Sequence, residues 1–245
     1  MPLVGLGTWQ LRGREGYRAV RHALEVGYRH IDTASMYRNE AEIGRALRDS
    51  GVPRSEVFIT TKLWPSDAGR ERRAIAKSLN ALETEYVDLW LVHWPPRRGA
   101  GVSVWKEFVA VHGEGSARAI GVSNFSAGQI DELTEATGVT PAVNQIEWSP
   151  RLYDRHVEVA LRERGVVLEG YSPFKTSRLN DPVLAEIGSR HDVTPTQVVL
   201  RWHIDHGFVV IPKSAKPDRI ASNFDVFGFS LDADELARID ALGRR

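Results

Sequence analysis

Short apolar runs alternate with longer segments of helical periodicity along the whole chain. The apolar runs are rich in β-branched residues, which is typical of strands that are buried on both faces of a parallel sheet. Eight runs are predicted to be strands: 4–7, 28–31, 57–61, 87–92, 117–122, 142–145, 166–169 and 208–211. The pattern therefore predicts an α/β protein.

The segments after the strands carry apolar residues three and four positions apart, which predicts amphipathic helices. The first has Val20, Ala23 and Leu24 on one face, and the others are 40–48, 70–83, 104–112, 128–136, 155–164, 195–205, 218–224 and 233–241. Capping residues support two of these starts. Thr194 precedes Pro195 and Gln197 at one, and Asp232 precedes Glu235 at the other. Glycines stand where several helices are expected to end: Gly27, Gly51, Gly138, Gly165 and Gly207.

A strand followed by helical segments, repeated eight times, predicts a single (β/α)8 TIM barrel over residues 1–245. The main alternative is a doubly wound open sheet, which requires a glycine fingerprint after an early strand. Gly5-Leu6-Gly7 begins like such a fingerprint, but the third glycine is absent. We find no Pro/Gly/Ser-rich linker that would divide the chain, so the barrel is favoured.

Composition narrows the possible partners. The 32 basic residues balance 32 acidic ones, so no net field attracts nucleic acid or an acidic membrane. Cysteine is absent, which excludes disulfides, thiolate metal sites and a cysteine nucleophile. His203 and His206 have no acidic pair beside them on one face, so no metal is expected. Without a spanning or targeting segment, we expect a cytoplasmic monomer that binds neither nucleic acid nor membrane.

Polar or aromatic side chains follow every predicted strand. In a (β/α)8 barrel, active sites lie at these carboxyl ends of the strands. The residues there are Thr8, Trp9, Asp32, Lys62, His93, Ser123, Asn124, Gln145, Tyr171, Ser172, Lys213 and Ser214. Each alone could be a helix cap or a surface residue. An acid, an amine and an imidazole, together with the nearby phenol of Tyr37, predict a proton-handling site.

Several strings in the chain resemble the aldo-keto reductases, and most closely the prokaryotic 2,5-diketogluconate reductase type. They occur in the order of that family and cover nearly the whole chain. They are Gly5-Leu6-Gly7-Thr8-Trp9, Gly27 to Ala34 with Tyr37, Thr60 to Trp64, Leu91 to Pro95, Ile120 to Phe125, Asn144 to Glu147, Tyr171-Ser172-Pro173 and Ile211 to Ser214.

The resemblance implies a catalytic tetrad made of Asp32, Tyr37, Lys62 and His93. Tyr37 would be the general acid that protonates a carbonyl oxygen as hydride reaches the carbon. Lys62 would favour the phenolate and so lower the pKa of Tyr37, while Asp32 holds Lys62 in place. His93 would orient the carbonyl and donate to the developing oxyanion. The expected reaction is the reduction of aldehydes, α-dicarbonyls or keto-sugars to alcohols.

The resemblance also implies a nicotinamide cofactor across the barrel mouth. Its carboxamide would bind Ser123, Asn124 and Gln145, and its ring would stack on Tyr171. Thr8, Trp9 and Ser172 are further expected cofactor-binding residues. A second group, Lys213, Ser214, Arg219 and Asn223, would hold the adenosine end. Two cations and a hydroxyl at a helix start suit a phosphate monoester, so NADPH is expected over NADH.

Large aromatic residues at the strand exits are expected to surround the substrate beyond Tyr37 and His93: Trp9, Trp64, Trp94 and Phe174. Compared with the family pattern, the chain starts almost at the first strand, without the usual N-terminal hairpin. It ends directly after the last helix, without the usual C-terminal loop. These features and the short loops after His93 and Tyr171 predict an open pocket with broad substrate tolerance.

Two other functions are compatible with the same residues. A nicotinamide-sensing regulatory barrel would keep the tetrad but show little turnover. A phosphate-binding barrel isomerase would use Lys213 and Arg219 and would need no nicotinamide.

Overall fold

Eight parallel strands form one sheet whose strand order follows the chain. The structure is a computed structural model, and it describes residues 1–243. The strands are β1 Leu6–Gly7, β2 His30–Asp32, β3 Phe58–Leu63, β4 Leu89–Val92, β5 Ile120–Ser123, β6 Val143–Glu147, β7 Val167–Tyr171 and β8 Val209–Ile211. Val4 bridges Val210, and the Gly7 amide donates to the Pro212 carbonyl at 3.1 Å, so the first and last strands meet. The predicted (β/α)8 barrel is confirmed; residues 244 and 245 of the predicted domain lie outside the described residues.

Helices surround the barrel. They are α1 Gly13–Val26, α2 Glu40–Ser50, α3 Glu71–Leu82, α4 Val102–Gly113, α5 Ala127–Thr137, α6 Arg155–Glu163, α7 Pro182–His191, α8 Pro195–Asp205, α9 Pro217–Phe224 and α10 Ala233–Asp240. The predicted capping boxes at Thr194 and Asp232 are both present. Gly27, Gly51 and Gly138 follow helices with positive φ, as expected. No helix in the described range is long and apolar enough to cross a membrane.

Helix α7 was not predicted, and its omission is an error in the sequence interpretation. Its start is well marked, because the Asp181 side chain accepts from the Val183 amide and Pro182 occupies the first turn. Leu184 and Ile187 are buried on its inner face. Val183 and Ala185 adjoin Leu184, so the apolar residues are mostly consecutive and the helical periodicity is weak in the sequence.

Five strands, β2, β3, β5, β6 and β7, extend further than predicted, and the extension places site residues inside the sheet. Asp32, Lys62 and Tyr171 belong to β2, β3 and β7 rather than to the loops that follow. Parallel pairing of the backbone continues through them, for example between Lys62 and Leu91. The predicted ends lie where the side chains become polar. A strand ends only where its backbone pairing ends, which is further along the chain.

The interior of the barrel is divided into an apolar and a polar part. Leu89, Leu91 and Val143 form a small buried cluster inside it, separate from the main core between sheet and helices. Six polar side chains are equally buried: His30, Asp32, Thr60, Lys62, Gln145 and Glu169. They lie on β2, β3, β6 and β7, and they include Asp32 and Lys62 of the predicted tetrad.

Candidate active site

A buried ion pair joins β2 to β3. The Lys62 Nζ donates to Asp32 Oδ1 at 2.6 Å, to Asp32 Oδ2 at 2.8 Å and to the Thr33 carbonyl at 2.8 Å. Lys62 is 1% exposed and Asp32 is 2% exposed. Burial is the largest single influence and lowers the pKa of Lys62, but the charge of Asp32, the hydrogen bond to it and the charges of Tyr37 and Glu169 together outweigh burial, and the pKa is raised. Lys62 is therefore a fixed cation.

Tyr37 and His93 lie beside this cation. The Lys62 Nζ is 5.2 Å from the centroid of the Tyr37 ring. The Tyr37 and His93 rings meet edge to face with centroids 5.7 Å apart, and Trp64 meets His93 in the same way at 5.3 Å. The structure thus brings all four predicted tetrad residues together at the carboxyl ends of β2, β3 and β4.

Burial dominates the titration of the two proton-handling groups. It raises the pKa of Tyr37 above 10.0, although the charge of Lys62 acts in the opposite direction. The expected effect of Lys62 on Tyr37 is present but smaller than that of burial. For His93, burial and then the charge of Lys62 lower the pKa to about 3, so the imidazole is neutral and donates from one nitrogen.

A chain of hydrogen bonds runs from the ion pair across the barrel mouth. Gln145 Nε2 donates to Asp32 Oδ2 at 2.8 Å. The Ser123 hydroxyl donates to the Gln145 carbonyl at 2.9 Å and accepts from Asn124 Nδ2 at 3.0 Å. Tyr171 Oη donates to Asn124 Oδ1 at 2.9 Å. The four residues predicted to hold the nicotinamide therefore form one connected group with the tetrad.

Two residues of this mouth have left-handed backbone. Asn124 has φ 64° and Ser172 has φ 53°, each at the end of a strand. Such angles are uncommon outside glycine and turn the chain sharply. They let the chain turn directly after β5 and at the end of β7.

The loop after β1 is hydrogen-bonded to β2. Thr8, predicted to touch the cofactor, is fully buried and its hydroxyl donates to the Asp32 carbonyl at 2.8 Å. Asn39, which the sequence interpretation missed, donates to the carbonyls of Thr8 and Leu11 at 2.9 and 2.7 Å. These bonds fix Trp9, which is 52% exposed at the mouth.

The segment between β8 and α9 carries the predicted phosphate-binding residues. Lys213 and Arg219 are exposed, and neither forms an ion pair with any residue from 1 to 243. Ser214 is buried, and its hydroxyl accepts from the Lys216 amide at 3.1 Å. Asn223 is also buried, on α9. Neither cation therefore forms an ion pair within residues 1–243, although Asp218 lies in the first turn of α9.

The predicted substrate wall is partly in place. Trp9 and Trp94 are about half exposed, Trp64 contacts His93, and Met36 adds another exposed apolar side chain. Phe174 instead packs partly against the main core, so its contact with substrate stays a prediction. Exposed tryptophans are unusual on a protein surface, and a pair at one mouth indicates a binding surface.

Two buried polar residues of the barrel interior were missed at the sequence level. Glu169 on β7 and His30 on β2 are both 0% exposed, with His30 Nε2 3.6 Å from Glu169 Oε1. Each lies two residues before a predicted site residue on the same strand, Asp32 or Tyr171. Residues i and i+2 of a strand face the same side of the sheet. This alternation could have shown that His30 and Glu169 face the same side as the predicted site residues.

The described residues contain no cluster of three or more His, Cys, Asp or Glu side chains suited to a metal ion. His203 Nδ1 donates to the Val199 carbonyl at 2.8 Å, and His206 Nε2 lies 2.8 Å from Asp240 Oδ1. Both histidines thus have partners within the fold.

The barrel and its tetrad define a class: an oxidoreductase that handles a proton beside a carbonyl. The model of the aldo/keto reductase family matches residues 3–244. The chain belongs to this family, which confirms the predicted resemblance and the predicted class of NADP-dependent carbonyl reductase.

Individual relatives agree with this assignment. Methylglyoxal reductase DkgA of Escherichia coli is 44% identical over 99% of this chain and 90% of its own. The crystal structure of a point mutant of Gox0644 in complex with NADPH has TM-score 0.94, 38% identity, and covers 100% of this chain and 90% of its own. A putative 2,5-diketo-D-gluconic acid reductase B has TM-score 0.93 and 37% identity, and covers 100% of this chain and 88% of its own.

Proposed function

We propose that this protein reduces small aldehydes and α-dicarbonyls with NADPH, and that Tyr37 supplies the proton. The observation that carries the proposal is the fixed Lys62 cation, held by Asp32 and placed 5.2 Å from the Tyr37 ring. A small dicarbonyl is the favoured substrate because the relative from Escherichia coli is a methylglyoxal reductase. The exposed tryptophans at the mouth suit a small, uncharged carbonyl compound.

The chain's own residues account for the proton transfer. Tyr37 is protonated at neutral pH, so its hydroxyl can donate to a carbonyl oxygen that gains negative charge. Lys62 stabilises the phenolate that remains, and Asp32 keeps Lys62 in position. Neutral His93 donates its single N–H to the same oxygen and orients the carbonyl. When bound, NADPH supplies the hydride.

The residues present fit that cofactor. Lys213 and Arg219 have no anionic partner within residues 1–243 and would hold the 2′-phosphate, which favours NADPH over NADH. Asn124 and Gln145 would hold the carboxamide, with Tyr171 available for stacking. Tyr171 stays protonated, since burial and nearby Glu147 raise its pKa to about 12.

The test is loss of NADPH absorbance with methylglyoxal, with the Tyr37→Phe variant measured in parallel. We expect the variant to lose roughly 10²–10⁴-fold in kcat, the usual contribution of a general acid. NADPH binding, measured by calorimetry, should be unchanged. Turnover of the variant near the wild-type rate would refute the role of Tyr37. Binding of NADPH without turnover of any carbonyl by the wild type would instead favour a regulatory, cofactor-sensing barrel.

A further inference from the structure

The carboxyl group of Glu169 lies inside the barrel directly beside the tetrad. Its neighbours in the sheet are Gln145 on β6 and Val209 on β8, and paired residues of parallel strands face the same side. Glu169 is 0% exposed. Among residues 1–243, neither of its carboxyl oxygens has a hydrogen-bond partner.

The ionisable groups around Glu169 come from three places. Strand β2 supplies His30 and Asp32, strand β3 supplies Lys62, and the turn after β2 supplies Tyr37. The adjoining residues of β6 and β8, Gln145 and Val209, carry no charge. Lys62 is the only cation in this group, and it already donates to Asp32 and Thr33.

An ionised Glu169 would therefore be an unpaired, buried carboxylate. Burial, followed by the charge of Asp32, raises the pKa of Glu169 to about 8, although Gln145 and Lys62 act in the opposite direction to a smaller extent. Burial also lowers the pKa of His30 to about 3, so this imidazole stays neutral. Although its Nε2 lies 3.6 Å from Glu169 Oε1, it cannot be a counterion for Glu169. At neutral pH the acid keeps its proton and Asp32 is the one anion that faces Lys62.

We propose that Glu169 is a positioning residue that regulates the tetrad through its charge. While protonated, it leaves Lys62 to act on Asp32 and Tyr37 alone. Once it loses the proton, a second anion beside Lys62 makes Tyr37 a weaker acid, and carbonyl reduction slows at alkaline pH. The proposal rests on the role of Tyr37 proposed above.

The first test is the pH profile of kcat for methylglyoxal reduction in the wild type and in Glu169→Gln, which is neutral at every pH. Between pH 7 and 9 the wild type should lose up to about tenfold, since only about a tenth of an acid with a pKa near 8 stays protonated at pH 9. Glu169→Gln should retain its pH 7 rate throughout this range. Glu147→Gln is the matched control, because Glu147 lies two residues beyond Gln145 but is part-exposed and pairs with Lys175 at 3.2 Å.

The second test measures the proton without activity, as the free energy of unfolding of both proteins in urea from pH 5 to 9. Glu169 holds its proton in the folded state from about pH 4.5 to about 8, where the unfolded chain has released it. As the pH rises through this range, the folding equilibrium constant of the wild type should therefore fall by up to tenfold per pH unit relative to that of Glu169→Gln. Above about pH 8 the difference between the two proteins should stay constant.

The outcomes separate the claims. A wild-type kcat that is unchanged up to pH 9, or an equal alkaline decline in both proteins, overturns the proposal. A stability difference that is constant from pH 5 to 9 overturns it too, because Glu169 would then not hold a proton. If Glu169→Gln does not fold, the wild-type pH profile and Glu169→Leu decide the question. Absence of turnover in the wild type overturns the proposed function and the role toward Tyr37, whereas the unfolding measurement still shows whether Glu169 is protonated.

Discussion

The protein holds cations in two contrasting ways at the same barrel mouth. Lys62 is buried between β2 and β3 and bonded to both oxygens of Asp32. Lys213 and Arg219 stand exposed between β8 and α9, without an ion pair among residues 1–243. Lys62 thus has its counterion within the protein, whereas Lys213 and Arg219 would obtain one only from a bound ligand.

The difference follows from the dielectric around each group. A charge in the interior interacts strongly with its neighbours, but it must be paired to remain charged. Lys62 can therefore act on Tyr37 at a fixed position before any substrate binds. An exposed cation interacts weakly until a ligand displaces water from it, so under the proposed function Lys213 and Arg219 would add affinity for the cofactor and would not preorganise the site.

Lys62→Met would break the buried side of this comparison. We expect the free energy of unfolding to fall by about 3–5 kcal/mol, because Asp32 would become a buried anion without a counterion. Reduction should be lost together with stability. Urea unfolding at pH 7 measures the first effect. Exchanging both partners in Lys62→Met/Asp32→Leu should recover most of the stability but none of the activity, and a double variant as unstable as the single one would contradict this account.

Arg219→Ala would test the exposed side and should have a smaller effect. A charge-assisted hydrogen bond contributes about 1.5–3 kcal/mol, so NADPH affinity should fall roughly 10–100-fold. NADH affinity and the unfolding midpoint should hardly change, because Arg219 has no ion-pair partner among residues 1–243. Calorimetric titration with both cofactors measures the effect. Equal losses for NADPH and NADH would mean that Arg219 does not contact the 2′-phosphate.

The two sides also differ in how readily the sequence predicted them. Asp32, Lys62 and His93 stand where apolar strands end, and barrel topology alone brings such positions together. His30 lies inside a predicted strand and Glu169 is the last residue of one, and neither position reveals what the side chain faces. Their role depends on distances across the barrel, between strands that are remote in the chain.

The missed helix α7 has a different cause. Its capping residues Asp181 and Pro182 are readable in the sequence, but its apolar residues are mostly consecutive, from Val183 to Ala185, and do not show a clear helical spacing. The extended ends of β2, β3, β5, β6 and β7 depend on backbone pairing that no single segment encodes. Patterns local to one element were thus sufficient for the architecture, whereas the polar interior required the assembled barrel.

The smallest predicted effect concerns His93, whose imidazole should not titrate in the working pH range. Burial and the charge of Lys62 lower its pKa to about 3, so lowering the pH from 7 to 5.5 should leave kcat/KM nearly constant. A histidine with an ordinary pKa of about 6.5 would lose about nine-tenths of its neutral form over this interval. Initial rates of methylglyoxal reduction measure the difference. An acid limb near pH 6.5 that disappears in His93→Asn would show that water reaches this ring, and the tetrad would then be less isolated from solvent than the buried Lys62 requires.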